Sequence, residues 1–140
     1  MSTESPILTI AIPTYNRAGA LQAQLARLVP QLSPAVRLRV FDNASPDNTR
    51  EIVAPYLAQG VGYACAVANC GWGRNFFRCF EECQTEWLWM LSDDDLATPT
   101  AVADLLAVLK CVDANFIHTS SITRSYDSEV MVTDLPSYLQ

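Results

Sequence analysis

The 140-residue chain is one domain by length, and 50% hydrophobic with 17% charged residues is the balance of a globular protein rather than a disordered one. A net charge of −6 argues against any non-specific grip on nucleic acid or on an anionic membrane surface. The five cysteines are odd in number and form no CxxC pair or zinc-type His/Cys spacing. They predict a reducing, cytoplasmic setting rather than a disulfide scaffold.

In chain order, Ile7 to Pro13 reads as a buried strand, too short for a signal or membrane segment. Leu21, Leu25, Leu28 and Leu32 recur at helical spacing and predict a helix over 17–32. Val36 to Asp42 is a second strand. Ser45-Pro46-Asp47 reads as a helix start, with Ser45 as N-cap, and Gly60 as that helix's end. Tyr63 to Val67 is a short third strand. Trp72, Phe76, Phe80 and Cys83 mark one face of the next helix, and Trp87 to Leu91 is a fourth strand. Thr98-Pro99 opens a helix with Val102, Leu105, Leu106 and Leu109 on its core side, and Phe116 to Ile122 is a fifth strand. The expected architecture is α/β, a mostly parallel sheet with helices on both faces.

Polar clusters follow three strands, and in a parallel sheet those ends share one edge, where such folds bind ligands. Asp93, Asp94 and Asp95 close the fourth strand. Adjacent carboxylates repel and lose solvation when enclosed, and a hard divalent cation, Mn²⁺ or Mg²⁺, offsets both costs. A solvated acidic loop is the plain alternative. After the first strand, Pro13-Thr14-Tyr15-Asn16-Arg17 offers in Tyr15 a ring for a base to stack on. After the second, Asp42 is an acceptor for a ring N–H of the kind uracil presents. Asn69 to Asn75 adds two glycines and Arg74, a cation for a base carbonyl or a diphosphate oxygen. Neither GxxxxGK[ST] nor GxGxxG occurs, which disfavours P-loop and dinucleotide-binding chemistry.

Taken together, Ile10 to Arg17, Val40 to Asp47, Asn69 to Asn75 and Leu91 to Asp95 followed by Pro99 resemble the nucleotide-binding half of family 2 glycosyltransferases with the GT-A fold. The resemblance spans residues 7 to about 120, and residues 125–140 are read as a poorly defined tail of the same single domain. It implies that Pro13, Thr14, Tyr15 and Asp42 line a nucleoside pocket, that Arg74 approaches the base, and that Asp93 holds the ribose side. Asp94, with Asp95 beside it, takes the metal-binding place of the family's DxD motif, while Ser92 stands where many relatives carry its first aspartate.

The implied reaction is inverting transfer from a nucleotide sugar, UDP-linked by preference, to a saccharide or lipid-linked acceptor. A nucleotide-sugar-binding module without transfer activity is the alternative. The resemblance also implies a role in polysaccharide biosynthesis, with a location in the cytoplasm or peripheral to the inner face of the membrane. No catalytic base is identified, and the single histidine, His118, reads as a loop or core residue. A homodimer through an exposed sheet edge is a further expectation.

Overall fold

A computed structural model describes residues 5–117 and residue 119. Four strands, β1 (Leu8–Thr14), β2 (Val36–Asp42), β3 (Gly62–Cys65) and β4 (Trp87–Met90), form one sheet in the order β3-β2-β1-β4. Every pairing is parallel. The helices are α1 (Ala18–Leu28), α2 (Thr49–Leu57), α3 (Trp72–Glu81) and α4 (Ala101–Leu109). The α/β class expected from the alternation of apolar periods is the one observed.

β1 is central and buried along almost its whole length, which explains its continuous apolar run. Ile10, Ile12, Leu38 and Val40 share one face of the sheet and are buried, as are Leu21, Leu25 and Leu28 of α1 and Val53 of α2. Ala11 and Phe41, on the opposite face, pack with Cys79 of α3. The α1 stripe was legible from leucine spacing, and its last turn tightens into a 3₁₀ turn at Val29–Gln31, where Pro30 cannot continue an α-helix.

Two boundaries differ from expectation. α2 starts at Thr49, after Asn48, because Ser45 is engaged with Asp42 and Asn16 and it is Asp47 that receives the Thr49 amide. Asp47 accepts from the Thr49 amide at 3.1 Å and its hydroxyl at 2.6 Å, and from the Ala18 amide that begins α1 at 3.0 Å. One carboxylate thus serves two helix starts. Burial pushes it up, but these donors outweigh burial and hold it below its usual value. β3 ends at Cys65, leaving Val67 fully exposed.

The larger difference is α3. Periodicity groups Trp72, Phe76, Phe80 and Cys83 on one apolar face, yet Trp72 is 77% and Phe80 51% exposed, and the residues turned inward are Asn75 and Cys79. The sheet under this helix explains the inversion, because its surface there is partly polar. Asn75 donates to the Phe41 carbonyl at 2.8 Å, and Arg39 pairs with Glu82 at 2.9 Å. The aromatic rings stack on one another instead, with Trp72–Phe76 centroids 5.5 Å apart and Phe76–Phe80 at 5.3 Å.

The chain divides into two compact units, Met1–Leu106 and Ala107–Gln140. In the first, Val102 and Leu105 of α4 are buried as expected. In the second, the helix closes with the Cys111 amide on the Val108 carbonyl at 2.9 Å. Phe116 and Ile117 carry no strand, so the predicted fifth strand is not formed there. The rest of that span, apart from Thr119, lies outside the described residues, as do His118 and the 125–140 tail. Among the described residues no helix is long and apolar enough to cross a membrane.

Candidate functional site

The ends of β1, β2 and β4 meet the start of α3 around an open cleft of about 750 Å³. Pro13, Thr14, Tyr15 and Arg17 come from the end of β1, and Asn43 from the end of β2. Asn69, Gly71, Trp72, Asn75 and Phe76 come from the approach to α3, and Met90 to Asp95 from the end of β4.

Hydrogen bonds stitch these ends together. The Asn43 amide donates to the Thr14 carbonyl at 3.0 Å, continuing the ladder past the strands. Asn43 Nδ2 donates to Asn69 Oδ1 at 3.0 Å and to the Gly71 carbonyl at 3.2 Å, while Asn43 Oδ1 receives the Cys70 amide at 3.0 Å. This folds the loop so that Gly71 takes φ +84 and ψ 159, a conformation reserved for glycine. Ala44 adopts φ +62 in the turn after β2, a left-handed conformation that is costly for a residue with a Cβ.

The carboxylate triplet divides into different environments. Asp93 is buried, and its Oδ2 accepts from the Thr14 hydroxyl at 2.7 Å. Burial pushes its carboxyl up from the usual value, against the opposing pull of Thr14 and Arg17. Asp94 is exposed and receives the Ser92 hydroxyl and the Arg17 guanidinium, which hold it below the usual value. Asp95 is exposed at the cleft wall. Arg17 Nη1 also lies 3.4 Å from Asp93 Oδ1, so one cation serves two carboxylates.

Gln24 is a component that leucine spacing concealed. It is fully buried on α1 and braces the loop after β4: Nε2 donates to the carbonyls of Asp95 at 2.6 Å and Ser92 at 3.2 Å, and Oε1 accepts the Ala97 amide at 2.9 Å. Its signal in the sequence is an amide inside an otherwise leucine-lined stripe.

Two expected site residues are turned elsewhere. Asp42 is 2% exposed and does not line the cleft. Its Oδ1 receives the Ser45 amide at 2.9 Å and hydroxyl at 2.6 Å, and its Oδ2 receives the Tyr63 hydroxyl at 2.5 Å. The Tyr63 phenol is pushed well up, first by burial and then by Asp42. Arg74 lies outside the cleft, on the exposed side of α3, paired with Glu81 at 3.1 Å. Seven residues, about two turns of helix, separate those partners. Pro13, Thr14, Tyr15, Asp93, Asp94 and Asp95 do converge.

As a metal centre the donor set is partial. Among the described residues no three His, Cys, Asp or Glu side chains cluster as a cation cage. The oxygens of Asp93 and Asp94 nevertheless already share a positive group, and hard carboxylate donors with open positions suit a divalent ion that completes its shell with water and phosphate. The residues present fit such an ion.

This fold, a parallel α/β sheet with a cleft at its strand ends, is of the GT-A type. The chain belongs to glycosyl transferase family 2, whose profile matches residues 9–134. It is similar to an uncharacterized glycosyltransferase of Mycoplasma pneumoniae, 26% identical over 117 residues, which are 79% of this chain and 39% of that protein. It also resembles validoxylamine A glucosyltransferase of Streptomyces hygroscopicus subsp. jinggangensis, 34% identical over 80 residues, or 49% of this chain and 19% of that one. The chain therefore spans about two-fifths or less of the length of these relatives.

Among solved structures, S. aureus TarS 1–349 in complex with UDP-GlcNAc superposes with a TM-score of 0.67 at 22% identity, over 74% of this chain and 31% of that one. Mannosyltransferase PcManGT from Pyrobaculum calidifontis, in complex with GDP-Man and Mn²⁺, gives a TM-score of 0.68 at 18% identity, over 80% and 34% of the two chains. These likenesses establish the fold.

Proposed function

We propose that the cleft binds the nucleoside diphosphate of a nucleotide-sugar donor, UDP-linked by preference, and that the protein transfers the sugar with inversion to a saccharide or lipid-linked acceptor. The observation that carries this reading is the sharing of one cation by Asp93 and Asp94 at a cleft where three parallel strand ends converge. A cleft charged in this way takes an anionic ligand when a divalent ion comes with it. Two fold neighbours, one in complex with UDP-GlcNAc and one with GDP-Man and Mn²⁺, support a nucleotide-sugar ligand.

In this reading Asp94 and Asp95 hold the ion, and either Mn²⁺ or Mg²⁺ meets the oxygen-donor requirement. When bound, the ion supplies charge neutralisation to the departing diphosphate. Tyr15 offers its half-exposed ring to the base, Pro13 and Thr14 floor the pocket, and Asp93, fixed by Thr14, faces the ribose. Asp42 acts through the turn it holds with Ser45, and it reaches a base N–H only by giving up the Tyr63 hydroxyl. Arg74 remains a surface residue paired with Glu81. The same proposal places the protein in the cytoplasm, at the inner membrane face where the acceptor is lipid-linked, as a single domain able to self-associate through a sheet edge.

Calorimetric titration with UDP and GDP, with and without Mn²⁺, tests the reading. It expects UDP binding that depends on the ion, and absence of metal-dependent binding of either nucleotide overturns it.

A further inference from the structure

The cation shared by Asp93 and Asp94 is Arg17, and it sits where the incoming ion is needed. It is the residue just before α1, and its side chain is 53% exposed. Among the described residues its guanidinium bonds only to Asp93 and Asp94. Both bonds use the same nitrogen, Nη1, so this is not the two-pronged fork that gives arginine–carboxylate pairs their strength. One positive charge against three adjacent carboxylates leaves the loop net negative, so a further cation is attracted there.

We propose that Arg17 is the resident counter-cation of the cleft: it neutralises Asp93 and Asp94 in the empty protein, and a divalent ion must take Asp94 from it. The inference rests on the reading of the cleft as a metal-assisted diphosphate site and adds a competitor to it. A half-exposed pair held through one nitrogen is easily exchanged, so Arg17 tunes the ion concentration at which the site fills without blocking it. Arg17 is a positioning residue in this account, acting on the carboxylates and not on a reacting atom.

The test follows uptake of Mn²⁺ by the full chain through loss of the free-ion spin-resonance signal, without nucleotide. It compares the protein with Arg17→Gln and Arg17→Lys, and with Arg17→Ser should the glutamine variant fail to fold. Arg17→Gln is expected to lower the half-saturating Mn²⁺ concentration by about three-fold, the modest value of an exposed ion pair. Arg17→Lys, which keeps the charge, is expected to stay near the parent. An unchanged, raised or unmeasurable half-saturation in folded Arg17→Gln overturns the competition. Ion-dependent UDP binding by the parent protein, measured beside it, reports separately on the reading of the cleft: equal Mn²⁺ uptake with intact UDP binding removes only the role of Arg17.

Discussion

The Thr14 hydroxyl, at the end of β1, donates to the buried carboxylate of Asp93, 79 residues later, at 2.7 Å. This bond joins the nucleoside side of the cleft to its acidic side. It also fixes which member of the triplet turns inward, leaving Asp94 and Asp95 toward the open cleft. Thr14→Val keeps the shape and removes the donor. It is expected to lower stability by about 1–3 kcal/mol, the cost of leaving a buried acceptor unpaired, and to push the Asp93 carboxyl further up. Urea denaturation checks the first, and the pH dependence of the loss checks the second.

Gln24 braces the acidic loop from beneath with three bonds. Gln24→Met fits the same space but leaves the Ala97 amide and two carbonyls without that partner. A loss of about 2–3 kcal/mol is expected, together with weaker ion-dependent nucleotide binding, because the loop loses its support. Thermal melts and calorimetry on one sample check both.

Two positive-φ positions predict effects of opposite sign. Gly71→Ala meets no atom within 4 Å, so its expected cost of about 1–3 kcal/mol is conformational alone. Ala44→Gly relieves the left-handed strain and is expected to be stabilising by about 0.5–1 kcal/mol, after the greater freedom of the unfolded chain is deducted. Denaturation midpoints of both variants decide it.

Burial pushes the Cys79 thiol from 9.0 up to about 12. The unfolded chain therefore loses this proton first, and stability falls as pH rises from about 9 toward 12. Cys79→Ala should show a shallower fall over that window in urea midpoints. At pH 8 the native protein should be alkylated at the exposed Cys65 and Cys70 and not at Cys79.

The sheet was legible because β1 is an almost continuous apolar run, β2 alternates Val36, Leu38 and Val40 with Arg37 and Arg39, and turn residues bound both; the acidic triplet was legible because it follows an apolar strand. α3 was misread because hydrophobic period identifies a stripe without saying which surface awaits it. The sheet there presents Arg39 and the Phe41 carbonyl, and Asn75 answers that surface better than Phe76 does. The bond from the Ala18 amide to Asp47 and the bracing by Gln24 join residues 29 to 73 positions apart, a range that local spacing does not reach. Arg17 was visible as a residue but not as a partner, since its role depends on β4 lying beside β1.

The central claim, an ion held by Asp94 for a donor's diphosphate, is tested most directly by comparing Asp94→Ala with Asp104→Ala. Asp104 is also an exposed carboxylate, on α4, and accepts the Thr100 hydroxyl at 2.7 Å. UDP titrations with and without Mn²⁺ should show the ion-dependent part of the affinity abolished in Asp94→Ala and nearly unchanged in Asp104→Ala. Equal effects from the two substitutions would contradict the site.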